Sequence, residues 1–225
     1  KGIKIKSPSE LNAVLIIFKK LKIPIIIQEI IKSSDRDNFK YCLFTDSNKY
    51  ISFKMAKMHQ YPVGFGIGSS AISIENDELD LIGSKLFKEL NYKGIASAEF
   101  KYDEIDQCLK LVEINTRYWQ QNTLADFCGI NFPIIDYANS TGQKLQLYND
   151  YHLGYKWVNP TLSFESFLQY RRKGLLNFFN WISDIKGKTR FSYLDTNDIM
   201  PFFVYINRFF KRKLARLIRG SHKKK

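Results

Sequence analysis

The stretch that decides the fold of this sequence reads Ile95-Ala-Ser-Ala-Glu99-Phe100, an acidic turn, and then Leu111-Val-Glu113-Ile-Asn115. Both runs are short and apolar, so we expect two strands of an antiparallel hairpin centred on Asp106. In that register Glu99 faces Glu113 directly, and strand alternation puts Asn115 on the same face. Opposed carboxylates repel each other, and a hard cation such as Mg²⁺, which prefers oxygen ligands, removes that penalty.

The ordinary alternative is a pair of solvent-facing glutamates, each of which forms an ion pair with a lysine. Arg117 changes this balance, because it follows Asn115 at the same strand parity. Its guanidinium is always charged and suits a phosphate or a carboxylate. Taken together, Glu113-Ile-Asn-Thr-Arg117 favours a site that binds an anionic substrate with a cation.

This run resembles the E-x-N-x-R signature of ATP-grasp enzymes, in the branch with biotin carboxylase and carbamoyl-phosphate synthase. Further segments resemble other parts of that family, and the likeness covers about residues 1–143. They are the adenine-carrying segment Ile25–Ile31, the first metal carboxylate strand in Asn91–Phe100, and Trp119 with Leu124–Pro133. The last run is similar to that of carboxylate–amine ligases of the D-aspartate ligase type.

The resemblance implies an ATP-dependent ligase that joins a small carboxylate to an amine through an acyl phosphate. It implies that Glu99 and Glu113 bind Mg²⁺ (or Mn²⁺) bridging the ATP phosphates, with Asn115 completing a second metal site. Arg117 would steady the acyl phosphate. Phosphoryl transfer asks a protein mainly for positioning and charge neutralisation, which agrees with these residue types.

The resemblance also implies residues for the rest of the substrate site. Gln28, Glu29 and Ile31 would line the adenine, and Lys57 would lie near the phosphates or the acceptor substrate. Gly64–Gly68 holds three glycines in five residues, which predicts a mobile loop. Such a loop either closes over the substrate or is a plain connection.

We expect an α+β fold in which an antiparallel sheet flanked by helices forms an ATP-grasp carboxy-terminal lobe. The predicted domains are 1–144, an ATP-grasp domain that is amino-terminally incomplete, 145–203, an aromatic-rich helical extension, and 204–225, a basic amphipathic tail. Because this corresponds to part of such an enzyme, a non-catalytic remnant that binds nucleotide or a partner is the alternative function.

Local signals predict the individual elements of this fold. Ser7, Pro8 and Glu10 form the capping box of a first helix. The other predicted elements are strands over 25–31 (buried), 39–44, 50–55, 94–101 and 109–115, and helices over 76–90, 124–128 and 133–140.

The net charge of +13 is concentrated at the end of the chain, since nine basic and no acidic residues follow from Arg208 onward. Phe202, Tyr205 and Phe209 recur among these cations as in a basic amphipathic helix. One interpretation is contact of residues 204–225 with an anionic membrane surface. The others are a packed terminal helix with a solvated end and, third, nucleic-acid binding, which no recognised module accompanies.

Three scattered cysteines without CxxC spacing disfavour a disulfide framework or structural zinc and indicate a reducing compartment. Three distant histidines and the absence of a G-x-S-x-G elbow disfavour a zinc site and a serine hydrolase. We therefore expect a cytoplasmic protein whose tail reaches the inner face of the membrane under the first interpretation. The sequence leaves open whether the protein forms a homo-oligomer.

Overall fold

The computed structural model describes residues 3–64, 66–145, 149–195 and 197–221, the last nine by their backbone alone. The chain forms two units, 1–32 and 33–225. No helix among the described residues is both long and apolar enough to cross a membrane.

The first unit contains the predicted capped helix, α1 (Pro8–Lys20). Ser7 accepts a hydrogen bond from the Glu10 amide (3.2 Å), and the Glu10 carboxylate accepts one from the Lys6 amide (2.8 Å). The predicted cap is confirmed, except that its return bond reaches Lys6 instead of Ser7.

The strand predicted over Ile25–Ile31 is wrong, because this segment is irregular and largely exposed, with Ile26 87% exposed. A strand needs a hydrogen-bonded neighbour, and the described residues of the first unit hold no other strand. Side chains of α1 and of this segment line an apolar cavity of about 680 Å³ within the unit.

The second unit is built on a seven-stranded sheet in the order β5-β4-β1-β2-β3-β6-β7. Neighbouring strands are antiparallel except β6 and β7, which are parallel. The strands are β1 (Asn38–Thr45), β2 (Tyr50–Tyr61), β3 (Ile67–Ser73), β4 (Gly94–Asp103), β5 (Cys108–Asn115), β6 (Lys156–Val158) and β7 (Thr189–Phe191).

The helices of the second unit are α2 (Asp77–Glu89), α3 (Asn122–Phe127), α4 (Phe132–Ser140), α5 (Pro160–Arg172), α6 (Phe178–Ile185) and α7 (Met200–Ser221). Asn76 caps α2 through its side chain, which accepts the Leu79 amide at 2.8 Å. The predicted helices over 76–90, 124–128 and 133–140 are confirmed.

Strand alternation divides the core into two layers, one on each face of the sheet. Tyr41 and Leu43 of β1 face the layer covered by α2, whereas Cys42 and Phe44 face the layer that contains α3 and α4. Gly83 lets α2 approach closely, since a Cβ there would overlap the Tyr41 ring. The candidate site lies on the face of the sheet whose layer contains α3 and α4.

The sequence did not predict three strands. The predicted loop Gly64–Gly68 is shorter, because Ile67 and Gly68 already belong to β3. The segment predicted as a helical extension contributes α5, α6 and the start of α7, but its β6 and β7 also join the sheet. These two strands have three residues each, too few for a periodic signal, and form because β3 offers an edge.

The described part of the predicted tail belongs to α7, whose beginning packs on the body of the second unit. The Tyr205 hydroxyl donates to Asn159 Oδ1 (3.1 Å) and shares a hydrogen bond with Thr161 Oγ1 (2.7 Å). Its ring stacks on Tyr193 with centroids 4.3 Å apart. Residues 222–225 lie outside the described part of the chain.

Candidate functional site

The hairpin of β4 and β5 places two carboxylates directly opposite each other. Glu99 pairs with Glu113, which confirms the predicted pairing. Asp103 pairs with Cys108, so the turn is centred between residues 105 and 106 and not on Asp106 as predicted. A β-bulge at Val112 then shifts the register by one residue, so that Glu99 still faces Glu113. Without that extra residue, Val112 would face Glu99 and Glu113 would point to the α2 layer.

Five of the predicted site residues line one cavity of about 250 Å³: Lys57, Glu99, Glu113, Asn115 and Arg117. They reach it from three parts of the second unit, namely β2, β4 and the end of β5 with its following loop, and β1 lies between β2 and β4. These five residues therefore contribute two acidic side chains, two basic ones and an amide to the cavity.

Lys40 is a charged cavity residue that the sequence analysis missed. It lies on β1 directly across from Glu99, and its Nζ is 2.7 Å from Glu99 Oε1. Both side chains are largely buried, at 15% and 24% exposure. The parity of β1 would have placed Lys40 on this face, but only the pairing of β1 with β4 shows that it meets Glu99.

The pKa of Glu99 reflects these neighbours. Burial alone raises the pKa of this carboxyl, but the charges of Lys40, Lys57 and Arg117 and the Lys40 hydrogen bond outweigh burial and hold it below its usual range. Glu99 is therefore ionised at neutral pH and ready to act as an oxygen ligand.

Glu113 and Asn115 form the more open side of the site. Asn115 Nδ2 donates a hydrogen bond to Glu113 Oε1 at 2.7 Å. Glu113 is exposed and takes part in no ion pair with a described residue. The alternative in which each glutamate forms an ion pair with a lysine therefore holds for Glu99 and fails for Glu113 among the described residues.

Lys57 points into the same cavity from β2. Burial lowers the pKa of its ammonium below the usual value; the charge of Glu99 opposes this shift, and those of Lys40 and Lys101 add to it. Its Nζ donates a long hydrogen bond of 3.4 Å to Gln60 Oε1. An anion in the cavity would relieve the repulsion between these cations.

Arg117 and the loop after β5 close another side of the cavity. Arg117 is exposed and donates to the carbonyl of Tyr118 at 3.1 Å, so its guanidinium keeps further donors for a ligand. Trp119 and Gln121 are buried wall residues, and Gln121 Nε2 donates weakly to the Gly68 carbonyl at 3.4 Å. Sequence analysis missed Gln121, since nothing in its spacing marks it.

The glycines bordering the cavity are needed for close approach. A Cβ at Gly66 would overlap the Pro62 backbone, and one at Gly68 would lie 3.0 Å from Gln121 Nε2. The turn before β3 is thus tightly packed, and Gly66 and Gly68 bring backbone atoms to the cavity wall.

The donor set fits a hard divalent cation in part. Two carboxylates and an amide are oxygen ligands of the kind that Mg²⁺ takes, and the remaining positions would come from phosphates and water. The described residues contain no cluster of three or more His, Cys, Asp or Glu side chains that could hold a metal ion alone.

The residues predicted to line the adenine, Gln28, Glu29 and Ile31, belong to the first unit. Gln28 lines the apolar cavity of that unit, together with isoleucines on both sides of it. Their role stays a prediction.

A comparison with protein-family profiles finds no match, and a comparison with curated proteins finds none. Solved structures do match. N5-carboxyaminoimidazole synthetase from Staphylococcus aureus, complexed with ADP, has a TM-score of 0.51 at 16% identity, over 69% of this chain and 42% of that one. The biotin carboxylase domain of a thermophilic 2-oxoglutarate carboxylase, bound to bicarbonate, has a TM-score of 0.50 at 17% identity, over 67% of this chain and 37% of that one.

A third structure, the biotin carboxylase domain of the Hydrogenobacter thermophilus enzyme with MgADP, ADP and bicarbonate, has a TM-score of 0.43 at 16% identity, over 56% of this chain and 29% of that one. The fold is thus α+β, with a mostly antiparallel sheet and helices that match ATP-grasp domains, as predicted. The chain spans about two-fifths of the length of the first two structures.

Proposed function

We propose that this protein takes part in the ATP- and Mg²⁺-dependent joining of a small carboxylate to an amine. The observation that carries the proposal is the opposition of Glu99 and Glu113 across β4 and β5, with Asn115 and Arg117 beside them at one cavity. Two opposed carboxylates repel each other, and among the described residues Lys40 pairs with Glu99 only, so a bound cation would relieve the repulsion that remains at Glu113. The ATP-grasp-like fold supports the same function.

The chemistry would run in two steps. An oxygen of the substrate carboxylate attacks the γ-phosphorus of ATP, which releases ADP and leaves an acyl phosphate. The amine nitrogen then attacks the acyl carbon, phosphate leaves, and the nitrogen loses a proton. A bound Mg²⁺ or Mn²⁺ would supply charge neutralisation at the phosphates.

The residues of the cavity would divide these tasks among themselves. Glu99, Glu113 and Asn115 hold the cation, while Arg117, with its free donors, binds the oxygens of the acyl phosphate. Lys57 contacts a phosphate or the acceptor substrate. Apart from this cavity, Gln28, Glu29 and Ile31 of the first unit are proposed to contact the adenine. The D-aspartate ligase type of substrate belongs to this proposal on the strength of the Trp119 and Leu124–Pro133 runs alone.

Calorimetric titration tests the proposal, using Mg²⁺ with a non-hydrolysable ATP analogue on the chain and on two variants. Glu113→Gln should abolish saturable binding, since it removes a ligand charge and leaves the size of the side chain unchanged. Glu104→Gln is the matched control, because Glu104 is exposed at the turn of the same hairpin. Equal affinity in the parent and in Glu113→Gln would refute the site.

Binding without ligase activity would instead favour the alternative function, a nucleotide-binding module that has lost catalysis. Turnover is measured as ADP release from Mg·ATP with mixtures of small carboxylates and amines. Release that depends on both an added carboxylate and an added amine supports ligation, and saturable binding with no release under any pair supports the module.

A peripheral membrane role is a second candidate, because α7 exposes Phe210 (62%) beside the exposed cations Arg208, Lys211 and Arg212. The first turns of α7 pack on the body of the second unit through Tyr205, so the residues that contact the membrane would be those after Asn207. Deleting 207–225 should lower binding to anionic vesicles in a salt-sensitive way, and equal partition of both proteins would refute it.

A further inference from the structure

We propose that the corner between α5 and α6, residues 171–179, binds the surface of an anionic lipid bilayer. This α5–α6 corner lies outside the cavity of the candidate site and before α7 in the chain. The inference does not depend on the ligase chemistry.

The corner exposes three large apolar side chains. Leu175 is 65% exposed, Phe178 50% and Phe179 82%. Phe178 and Phe179 begin α6, and their rings meet at a centroid distance of 6.1 Å. Three large exposed apolar side chains within residues 175–179 make this segment an apolar patch, which calls for an explanation that single exposed residues do not need.

The fold holds this patch outward. Gly174, at φ +71°, ends α5 in the left-handed region, and the Leu175 amide donates back to the Tyr170 carbonyl at 2.9 Å. Leu176, 8% exposed, inserts into the core beside Phe167 and Tyr170. Asn177 then caps α6 by accepting the Asn180 amide at 2.8 Å. With both helix ends and Leu176 fixed, Leu175 and Phe179 stay exposed.

Positive charge flanks the patch on one side. Arg171, Arg172 and Lys173 are all exposed, and no acidic residue occurs between Ser166 and Ser183. Cations next to exposed aromatic and leucine side chains are typical of elements that insert shallowly into an anionic interface. The long arginine and lysine side chains reach the headgroups while the rings enter the acyl boundary.

A bilayer explains this composition better than a protein partner does. The cores of protein interfaces are depleted of charged residues, whereas here three consecutive cations adjoin the apolar patch. The described part of α7 combines exposed phenylalanines with cations in the same way. A second element of this composition on the same chain agrees with an anionic surface as the occupant.

Vesicle co-sedimentation of the full chain tests the corner, using phosphatidylcholine vesicles with and without phosphatidylglycerol. The double variant Phe178→Ser with Phe179→Ser should lower partition onto the anionic vesicles about tenfold or more, because the free energy gained by burying two aromatic rings in the membrane interface is lost. Arg171→Glu with Arg172→Glu should do the same at low salt and less at 1 M salt, where the Debye length is about 3 Å.

Leu81→Ser with Lys85→Glu on α2 is the matched control, because Leu81 is 69% exposed and Lys85 lies four residues later on the same helix. It should leave partition unchanged. Circular dichroism of every variant checks that its fold is retained. Unchanged partition of the folded corner variants, or equal partition of all proteins, would overturn the proposal.

Tryptophan quenching by brominated lipid gives an independent readout. Trp119 and Trp157 are buried, whereas Trp181 lies in α6 and stacks on Phe167 at 4.8 Å. Quenching should disappear in Trp181→Phe. Persistent quenching in that variant would contradict docking through the corner. A concentration-dependent dimer that the phenylalanine substitutions abolish, without lipid binding, would assign the patch to a second copy instead.

Discussion

Lys40 Nζ lies 2.7 Å from Glu99 Oε1, and the two residues are paired directly across β1 and β4. A lysine thus neutralises one of the two carboxylates assigned to the cation. Because the ammonium holds one of the two carboxylate oxygens and its charge repels a divalent ion, Lys40 and Mg²⁺ compete for Glu99.

The competition predicts that Lys40→Met binds Mg²⁺ more tightly than the parent. A partly buried pair of this kind contributes about 1 kcal/mol, so the expected gain is about fivefold. Calorimetric titration of Mg²⁺ in the presence of a non-hydrolysable ATP analogue measures it, and Lys49→Met serves as the control, since Lys49 pairs with Asp46 at the β1–β2 turn. An affinity that stays constant or falls in Lys40→Met would show that Lys40 does not compete.

His59 predicts a pH dependence of stability. It is 3% exposed, and burial lowers the pKa of its imidazole, although Asp184 Oδ2, 2.8 Å from Nε2, opposes that shift. As pH falls through about 6.5, the unfolded chain takes up a proton that the folded chain does not. The free energy of unfolding should therefore decrease from there down to the folded-state pKa.

Urea unfolding between about pH 7.5 and pH 5 measures this slope. His59→Gln, which keeps a donor for Asp184 and does not titrate, should flatten it. His152→Gln is the control, because His152 is exposed. A slope as steep in His59→Gln as in the parent would assign the acid sensitivity to other groups.

Gly83 is predicted to set the distance between α2 and the sheet. A methyl group at Gly83 would overlap the buried Tyr41 ring. Gly83→Ala should lower the free energy of unfolding by about 1–3 kcal/mol despite the better helix propensity of alanine. Lys85→Ala, on the exposed side of the same helix, should have little effect. Chemical denaturation of both variants decides, and a more stable Gly83→Ala would contradict close packing here.

Asp35 is predicted to hold the turn beside the cavity. Its carboxylate accepts from the Tyr170 hydroxyl (2.6 Å), Gln60 Nε2 (2.5 Å) and the Gly64 amide (3.3 Å). Asp35→Ala leaves the donors of Gln60 and Tyr170, both buried, without this partner and should cost about 2–3 kcal/mol.

The control for this loss is Asp37→Ala, which removes an acceptor from the exposed Ser34 amide (3.2 Å). Equilibrium unfolding compares the two variants, and hydrogen exchange at Gly64 reports the local opening. Equal losses in both, with unchanged exchange at Gly64, would show that Asp35 does not hold the turn.

Local sequence determined the elements whose signals are complete within a few residues. The cap at Ser7, the amphipathic helix after Asn76 and the alternation around Glu99 and Glu113 each depend on spacing along one segment. For the same reason Glu99, Glu113, Asn115 and Arg117 could be named in advance, since they belong to one hairpin and its following residues, whereas Lys57 was named from the family resemblance alone.

Tertiary structure decided what depends on a neighbour. Lys40 meets Glu99 only because β1 lies beside β4, and the three residues of β6 form a strand only because β3 offers an open edge. Conversely, Ile25–Ile31 has the composition of a strand and none of the pairing. The bulge at Val112 also escaped prediction, because register is fixed by hydrogen bonds between strands and by which face is buried, and neither is written in one strand alone.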